Sequence, residues 1–320
     1  PLELLDHIRK LLELAGDAAA LGLANQGETV IAWDAESGEP VCNAIVWQDA
    51  RTLPLTEQLK KEGAAKLITA RTGLPLDPYF SASKLRWIID NVAPAKELLK
   101  RGKLRLGTSD SFFLDRLAGV YATDVTTASR TSLMNLDTGQ WDLELCRLFG
   151  VPIEALAEIR PTAGAFGTIG RLPIVANVVD QQAALFGHGC RHGGQAKITF
   201  GTGAFALAVA DRNVAADAAA GMIRTIAWKI GARPLAYAME GGIYDAASAV
   251  NWARGLGLFK DYAEIDLFAA PPVIERGLVF VPALSGLSCP YWDRNAAGMW
   301  LGLGADTTKT DMMQALLEGV

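Results

Sequence analysis

The sequence predicts an α/β protein of two lobes, and three observations carry that expectation. Short aliphatic and β-branched runs alternate with amphipathic stretches along the chain, as strands and helices do when taken in turn. Of the 320 residues, 50% are hydrophobic and 20% charged, ordinary globular values with enough apolar surface for large cores. The length suits about two domains, and the alternation pauses near Ala183. The first lobe is drawn as residues 1–182 and the second as residues 183–320.

The elements follow in order. In PLELLDHIRKLLELAG, Leu4, Leu5, Ile8, Leu11 and Leu12 recur at helical spacing, with no capping residue in front. ALGLANQGE and TVIAWD read as strands, ESGEP as a turn, and CNAIVWQ as a further strand. Thr52 to Thr69 reads as one helix ending near Thr72–Gly73. SASKLRWIIDNV is an amphipathic helix with Ser81 or Ser83 as its cap. KLRLGT is a strand, and Ser109 or Asp110 caps the helix SFFLDRLAG, which Gly119 closes. SLMNLD, the turn TGQ and the helix WDLELCRLFG lead to the strand IVANVV. AKITFGTGAFALAVA gives two strands around a glycine turn. LAYAMEGG, the helix AASAVNWARGLG, the strand GLVFVPAL, a loop around SGLSCPYWDRNAAG and a helical DMMQALLEGV complete the chain.

Charge and cysteine usage exclude several function classes. The net charge is −5 and no long basic block occurs, which argues against nucleic-acid binding. Cys42, Cys146, Cys190 and Cys289 are far apart and form no CxxC, so a zinc site is not expected. His188 and His192 are four apart, but Gly189, Gly193 and Gly194 break the helix that would align them. Unpaired thiols suit a reducing cytoplasm. The apolar runs are too short to span a bilayer, and Pro1 onward lacks the pattern of a signal peptide.

Five stretches carry candidate chemistry, each with a plainer alternative. In NVVDQQAALFG, Asn177 to Gly187, an apolar run stops at Asp180. That carboxylate is either a helix N-cap or a general base at a strand outlet, where ligands of open α/β sheets collect. FGTGAF is either a hairpin turn or a glycine turn whose N–H groups approach a phosphate, with the Thr202 hydroxyl as a further donor. In ANQGET, Asn25, Gln26 and Glu28 form a polar loop, or a set of groups able to bond several hydroxyls in fixed directions. LDPYFS is either a helix-entry staple or presents Tyr79 as a face for a polyol, and Trp47 in IVWQDAR is either core or a similar face. CPYWD, with Cys289 and Asp293, reads as a structural loop.

Taken in order, these stretches resemble the FGGY family of carbohydrate kinases. The matches are ANQGET, NAIVWQDAR, TGLPLDPYFSASKLRWIIDN, LGTSDSFFLDRL, TDVTTASRTSLMNL, VVDQQAALFG, FGTGAF, EGG with a following NW, and VPALSGLSCPYWD. YFSASKLRWIIDN is similar to the family's first signature, and GMWLGLGADTTKTDMMQALLE to its second, with Leu316 a departure. The resemblance implies two actin-like, ribonuclease H-like lobes with ATP in a central cleft and a polyol deeper inside. It implies Asp180 as catalytic base, and as a Mg²⁺ contact through Mg-ATP. Gln26, Glu28, Trp47, Tyr79, Gln181 and Phe205 would contact the substrate. Gly201, Thr202 and Gly203 would contact phosphates, and Ala247 and Asn251 would lie near the nucleotide. The expected reaction is ATP-dependent phosphorylation of a terminal hydroxyl of a small polyol or sugar. Glycerol leads, with erythritol, xylulose or ribulose as alternatives. A cytoplasmic homodimer or homotetramer is implied.

The departures from the family pattern shape further expectations. Members acting on glycerol usually carry Arg where this chain has Gly27, so lost hydroxyl contacts and vacated space for a bulkier acceptor are expected. Ala247 replaces a usual glycine and Asn251 a usual glutamine. The family opens with a phosphate loop, D-x-G-T-T-S-x-R, that has no counterpart here, and its adenine-binding C-terminal part is expected beyond Val320. The chain therefore reads as an internal portion with an incomplete second lobe. The competing reading is a non-catalytic actin-like binding protein, since a fold does not fix a function.

Overall fold

The computed structural model describes residues 1–211, 221–266, 268 and 271–320. The chain divides into two compact units. Unit 1 gathers residues 1–195 and, among the described residues, 209–211 and 224–238. Unit 2 holds 196–208, 221–223 and the described part of 239–320.

Unit 1 begins with α1 (Leu2–Leu14), preceded by Pro1 without a side-chain cap, and buries Leu5. β1 (Leu21–Asn25) and β2 (Val30–Asp34) follow. The run from Cys42 to Gln48 does not form the expected strand: only Ile45 bridges, to Val30, and Trp47 sits on a turn. The single helix expected after Thr52 is two, α2 (Leu53–Lys61) and α3 (Ala65–Thr72). Gly63, at φ +83, breaks the helix between them. Gly73 then stops α3 in a left-handed cap, as expected.

α4 (Ser81–Asn91) and α5 (Ala93–Lys100) precede β3 (Leu104–Thr108), which pairs antiparallel with β2. Neither Ser81 nor Ser83 caps α4: Phe80 holds the cap position, Ser81 Oγ donates to Glu28 O, and Ser83 bonds Thr52. Thr108 rather than Ser109 or Asp110 precedes α6 (Ser109–Ala118), and Gly119 closes it. Asp110 turns inward instead, to Thr108, Thr123 and Asn177. β4 (Ala122–Asp124) leads directly into the single turn α7 (Val125–Ala128). β5 (Met134–Asn135), β6 (Gln140–Trp141), α8 (Leu143–Phe149), β7 (Glu158–Arg160) and β8 (Thr168–Ile169) come next.

β9 (Leu172–Val179) pairs parallel with β1, and α9 (Asp180–Gly187) leaves its end. One core gathers Ile68, Leu85, Ile88, Leu106, Leu145 and Phe149. A second gathers Leu5, Ile31, Trp33, Phe112 and Phe113, with Trp33 edge-on to Phe112.

β10 (Ala196–Phe200) and β11 (Ala204–Ala210) form the expected antiparallel hairpin, followed by β12 (Ile223–Trp228) and β13 (Ala236–Ile243). Of these, residues 224–238 belong to unit 1; unit 2 also holds α10 (Ala247–Gly255), β14 (Val279–Val281), β15 (Met299–Leu301) and α11 (Lys309–Gly319). Its core packs α10 and α11 around Phe280, with Ala249, Ala253, Met313 and Leu316 buried. Thr308 and Asp311 form a capping box at the start of α11. Among the described residues no helix is long and apolar enough to cross a membrane.

Candidate active site

The register of two parallel strands sets the site in unit 1. Asn25 of β1 lies opposite Val179 of β9, so the loop at Gln26–Glu28 and the carboxylate of Asp180 leave neighbouring strands at the same end. Asp180 is the first residue of α9 and not its cap: Val179 holds the cap position without a side-chain bond. Asp180 Oδ1 accepts the N–H of Gln181 at 2.7 Å, and the side chain is exposed. Gln181 is half-buried beside it.

The loop after β1 is strained and tightly held. Glu28 has φ 58, and Thr29 N–H donates to Gly27 O at 2.7 Å, so Glu28 is the centre of a positive-φ γ-turn. Gln26 is exposed and its Oε1 accepts from Thr29. Glu28 is buried and forms an ion pair with Arg130 Nε at 2.6 Å. Lys84 Nζ donates to Glu28 O at 3.3 Å and also to the carbonyls of Tyr79 and Phe80. Asp77 Oδ1 accepts the N–H of Tyr79 at 2.8 Å and fixes the DPYF turn. The Tyr79 ring meets Trp47 at 5.5 Å and Phe80 at 5.0 Å, both edge-on. The Arg130 guanidinium lies 5.9 Å from the Tyr79 ring. Glu28, Trp47 and Tyr79 thus share one cluster, and Gln26 and Asp180 follow adjacent strands at the same end.

Gly27 is buried, and a Cβ built there would sit 2.7 Å from Val179 Cγ2. A side chain at this position would have to displace the last side chain of β9.

Beneath the loop lie two carboxyls without exposure. Asp124 caps α7, accepting the N–H groups of Thr126 and Thr127, and the hydroxyls of Thr126 and Thr162. Burial pushes the Asp124 carboxyl up to about 6, opposed by the N–H bonds and assisted by the neighbouring charge of Asp110. Burial also raises Asp110, against the hydroxyl bonds of Thr108 and Thr123 and the amide of Asn177.

In unit 2 the 201–203 turn is strapped to the start of α10. Ala246 N–H and Ser248 N–H donate to Thr202 O, and Ala247 N–H donates to Gly201 O. Ser248 Oγ adds a bond to Thr202 O at 3.0 Å. A Cβ at Gly203 would lie 2.4 Å from Ile243 O, so only glycine lets β13 approach this closely. Gly201 and Thr202 are exposed, as are Ala247 and Asn251 one helical turn apart on α10. Asn251 Oδ1 accepts from Tyr262 OH at 2.8 Å. Phe205 is half-buried, with its ring against Gly203 and Gly242. The structure therefore places Phe205 with the 201–203 turn in unit 2, and Gln26, Glu28, Trp47, Tyr79, Asp180 and Gln181 in unit 1.

Arg130 and Lys84 were not singled out from the sequence. A single signal existed for each: Arg130 falls within TDVTTASRTSLMNL and Lys84 within YFSASKLRWIIDN, two of the ordered stretches. Among the described residues no group of three or more His, Cys, Asp or Glu could hold a metal ion.

The model of the FGGY family of carbohydrate kinases, N-terminal domain, matches residues 6–187, and that of the C-terminal domain matches residues 196–320. The chain is 45% identical over 311 residues to a glycerol kinase of Geobacter sp. (strain M21), covering 94% of this chain and 62% of that protein. It is 44% identical over 310 residues to a glycerol kinase of Thermus brockianus, with the same coverage. The chain thus spans 62% of the length of these relatives. Among solved structures, Plasmodium falciparum glycerol kinase with ADP superposes with a TM-score of 0.86 at 32% identity, covering 99% of this chain and 66% of that one. A ligand-bound xylulose kinase from Lactobacillus acidophilus superposes with a TM-score of 0.82 at 24% identity, covering 98% and 66%, a likeness of fold. The α/β architecture is the actin-like ATPase fold of these sugar kinases. With both domain models matched in order, the chain belongs to the FGGY family of carbohydrate kinases.

Proposed function

We propose that the full-length protein transfers the γ-phosphoryl group of ATP to a terminal hydroxyl of a small polyol or sugar, with glycerol the first acceptor to consider. The register Asn25 opposite Val179 carries this reading, because it sets a hydroxyl-binding loop and an exposed carboxylate at the end of adjacent parallel strands. Gln26 and Glu28 bond acceptor hydroxyls, and the Tyr79 and Trp47 rings offer apolar walls for the carbon skeleton. Asp180 takes the proton of the attacking hydroxyl as its oxygen bonds the γ-phosphorus and the bond to the β–γ bridging oxygen breaks. A positioned base contributes about 10²–10⁴-fold; the remainder comes from placement and charge. Gln181 and Phe205 complete the substrate contacts by family resemblance.

The 201–203 turn, exposed at Gly201 and Thr202, would present the Thr202 hydroxyl and nearby backbone to phosphate, and Ala247 and Asn251 would lie near the nucleotide. ADP in the Plasmodium relative supports ATP as donor. Asp180, an exposed carboxylate, would suit Mg²⁺, which is commonly held by one or two carboxylates plus substrate phosphates. The ion, when bound, neutralises charge on the β- and γ-phosphate oxygens. Four free cysteines accord with a cytoplasmic location, and a homodimer or homotetramer belongs to the same reading.

Release of ADP, followed with glycerol, erythritol, xylulose and ribulose in turn, tests the proposal on the full-length protein. Turnover with one of the four, absent without an acceptor, is expected. Failure of all four with folded protein contradicts it.

A further inference from the structure

We propose that Asp124 and Thr126 are positioning residues for Asp180: through them the single turn α7 sets the outlet of β9 from which Asp180 projects. This rests on the kinase reading above. An N-cap needs only backbone N–H groups as partners, and Asp124 has those of Thr126 at 3.0 Å and Thr127 at 2.9 Å. It also accepts the Thr126 hydroxyl at 2.8 and 2.9 Å and the Thr162 hydroxyl at 2.9 Å, bonds that capping does not require.

The Thr126 bond is the informative one. A hydroxyl has one proton and two lone pairs. Thr126 gives its proton to Asp124 and accepts the N–H of Val179 at 3.0 Å. The series N–H to hydroxyl to carboxylate polarises each member, and the ionised acid makes the hydroxyl oxygen a better acceptor. Val179 is the residue before Asp180, with φ −72 and ψ 144. Fixing its N–H fixes the backbone from which the Asp180 side chain departs.

The same turn reaches the other strand. Thr127 Oγ1 donates to Asn25 Oδ1 at 3.1 Å, at the last residue of β1. Thr162 Oγ1 in turn accepts the N–H of Lys229 at 3.1 Å. A buried carboxylate held wholly by neutral donors is costly, and no Lys or Arg side chain bonds Asp124 among the described residues. Convergence of both strand ends on it gives that cost a purpose.

Thr126→Val, Thr126→Ser and Asp124→Asn in the full-length protein test the proposal, with kcat, KM for ATP and thermal midpoint measured using the best of the four acceptors. Valine keeps the shape but cannot accept the Val179 N–H; serine keeps the hydroxyl. Thr126→Val is expected to lower kcat about 10–100-fold, the scale of a base displaced by about 1 Å, with KM for ATP within about twofold. Thr126→Ser is expected to restore most of that loss, and Asp124→Asn to fall between. Thr126→Val at the wild-type kcat, or Thr126→Ser as impaired as Thr126→Val, overturns the proposal. Should Thr126→Val fail to fold, Asp124→Asn decides alone: a folded variant with wild-type kcat overturns it. A wild-type protein inactive with every acceptor fails the kinase reading; an active one with unaffected variants fails only this link.

Discussion

At the scale of single residues, the site is a set of charges held by partners distant in sequence. Asp180 was legible because one carboxylate ends an apolar run just before a helix, and two readings of it were open. The cap reading does not hold, since α9 starts at Asp180 itself and Val179 takes the cap position; the base reading is the one carried into the proposal. Arg130 was not legible, because its partner Glu28 lies 102 residues away and only the folded chain brings them together. The pair is buried on both sides, with 3% and 6% side-chain exposure. Removing one member of such a pair costs about 3–5 kcal/mol. Arg130→Met should therefore lower unfolding stability by about that amount, read from denaturant midpoints, and raise KM for the acceptor more than KM for ATP. A loss under about 1 kcal/mol, the value of a surface pair, would show that the ion pair does not hold the loop.

At the scale of elements, long periodic segments were legible and short or bridged ones were not. α4, α6, α9 and α10 follow apolar spacing that a 3.6-residue period reveals. The run AIVWQ has strand-like composition, but only Ile45 finds a partner, so burial at one bridge replaced a ladder. α7 spans four residues, too few for any period, yet its cap at Asp124 organises two strand ends. Capping serines were misplaced at α4 because Ser81 and Ser83 found tertiary partners first. The 201–203 turn was legible as a glycine turn, but its strap to α10 was not, since the bonds come from backbone groups that no side chain announces. Gly203→Ala would drive a Cβ to 2.4 Å from Ile243 O and push the turn off β13, disturbing its strap to α10. ATP affinity by calorimetry should fall about tenfold or more, the equivalent of one charge-assisted hydrogen bond at about 1.5–3 kcal/mol. Unchanged affinity would separate this turn from the phosphates.

At the scale of the whole molecule, order carried more than any single stretch. Each of FGTGAF, ANQGET and LDPYFS has an ordinary structural explanation, and a glycine turn or polar loop alone would identify nothing. Their sequence along the chain led to the family that the two domain models then matched. What order did not reveal is how unit 1 supports its carboxylate, which depends on the parallel register of β1 with β9 and on buried groups under it. Strand pairing across so long a separation is a property of the fold and leaves no local pattern.

Phosphoryl transfer by the full-length protein carrying Asp180→Asn bears most directly on the central claim. Asparagine keeps the size of the side chain but cannot take up the hydroxyl proton. With an acceptor that the wild type phosphorylates, kcat should fall about 10²–10⁴-fold, the contribution of a positioned base, while the thermal midpoint stays close to that of the wild type. A variant that transfers phosphate at the wild-type rate would remove Asp180 from the chemistry.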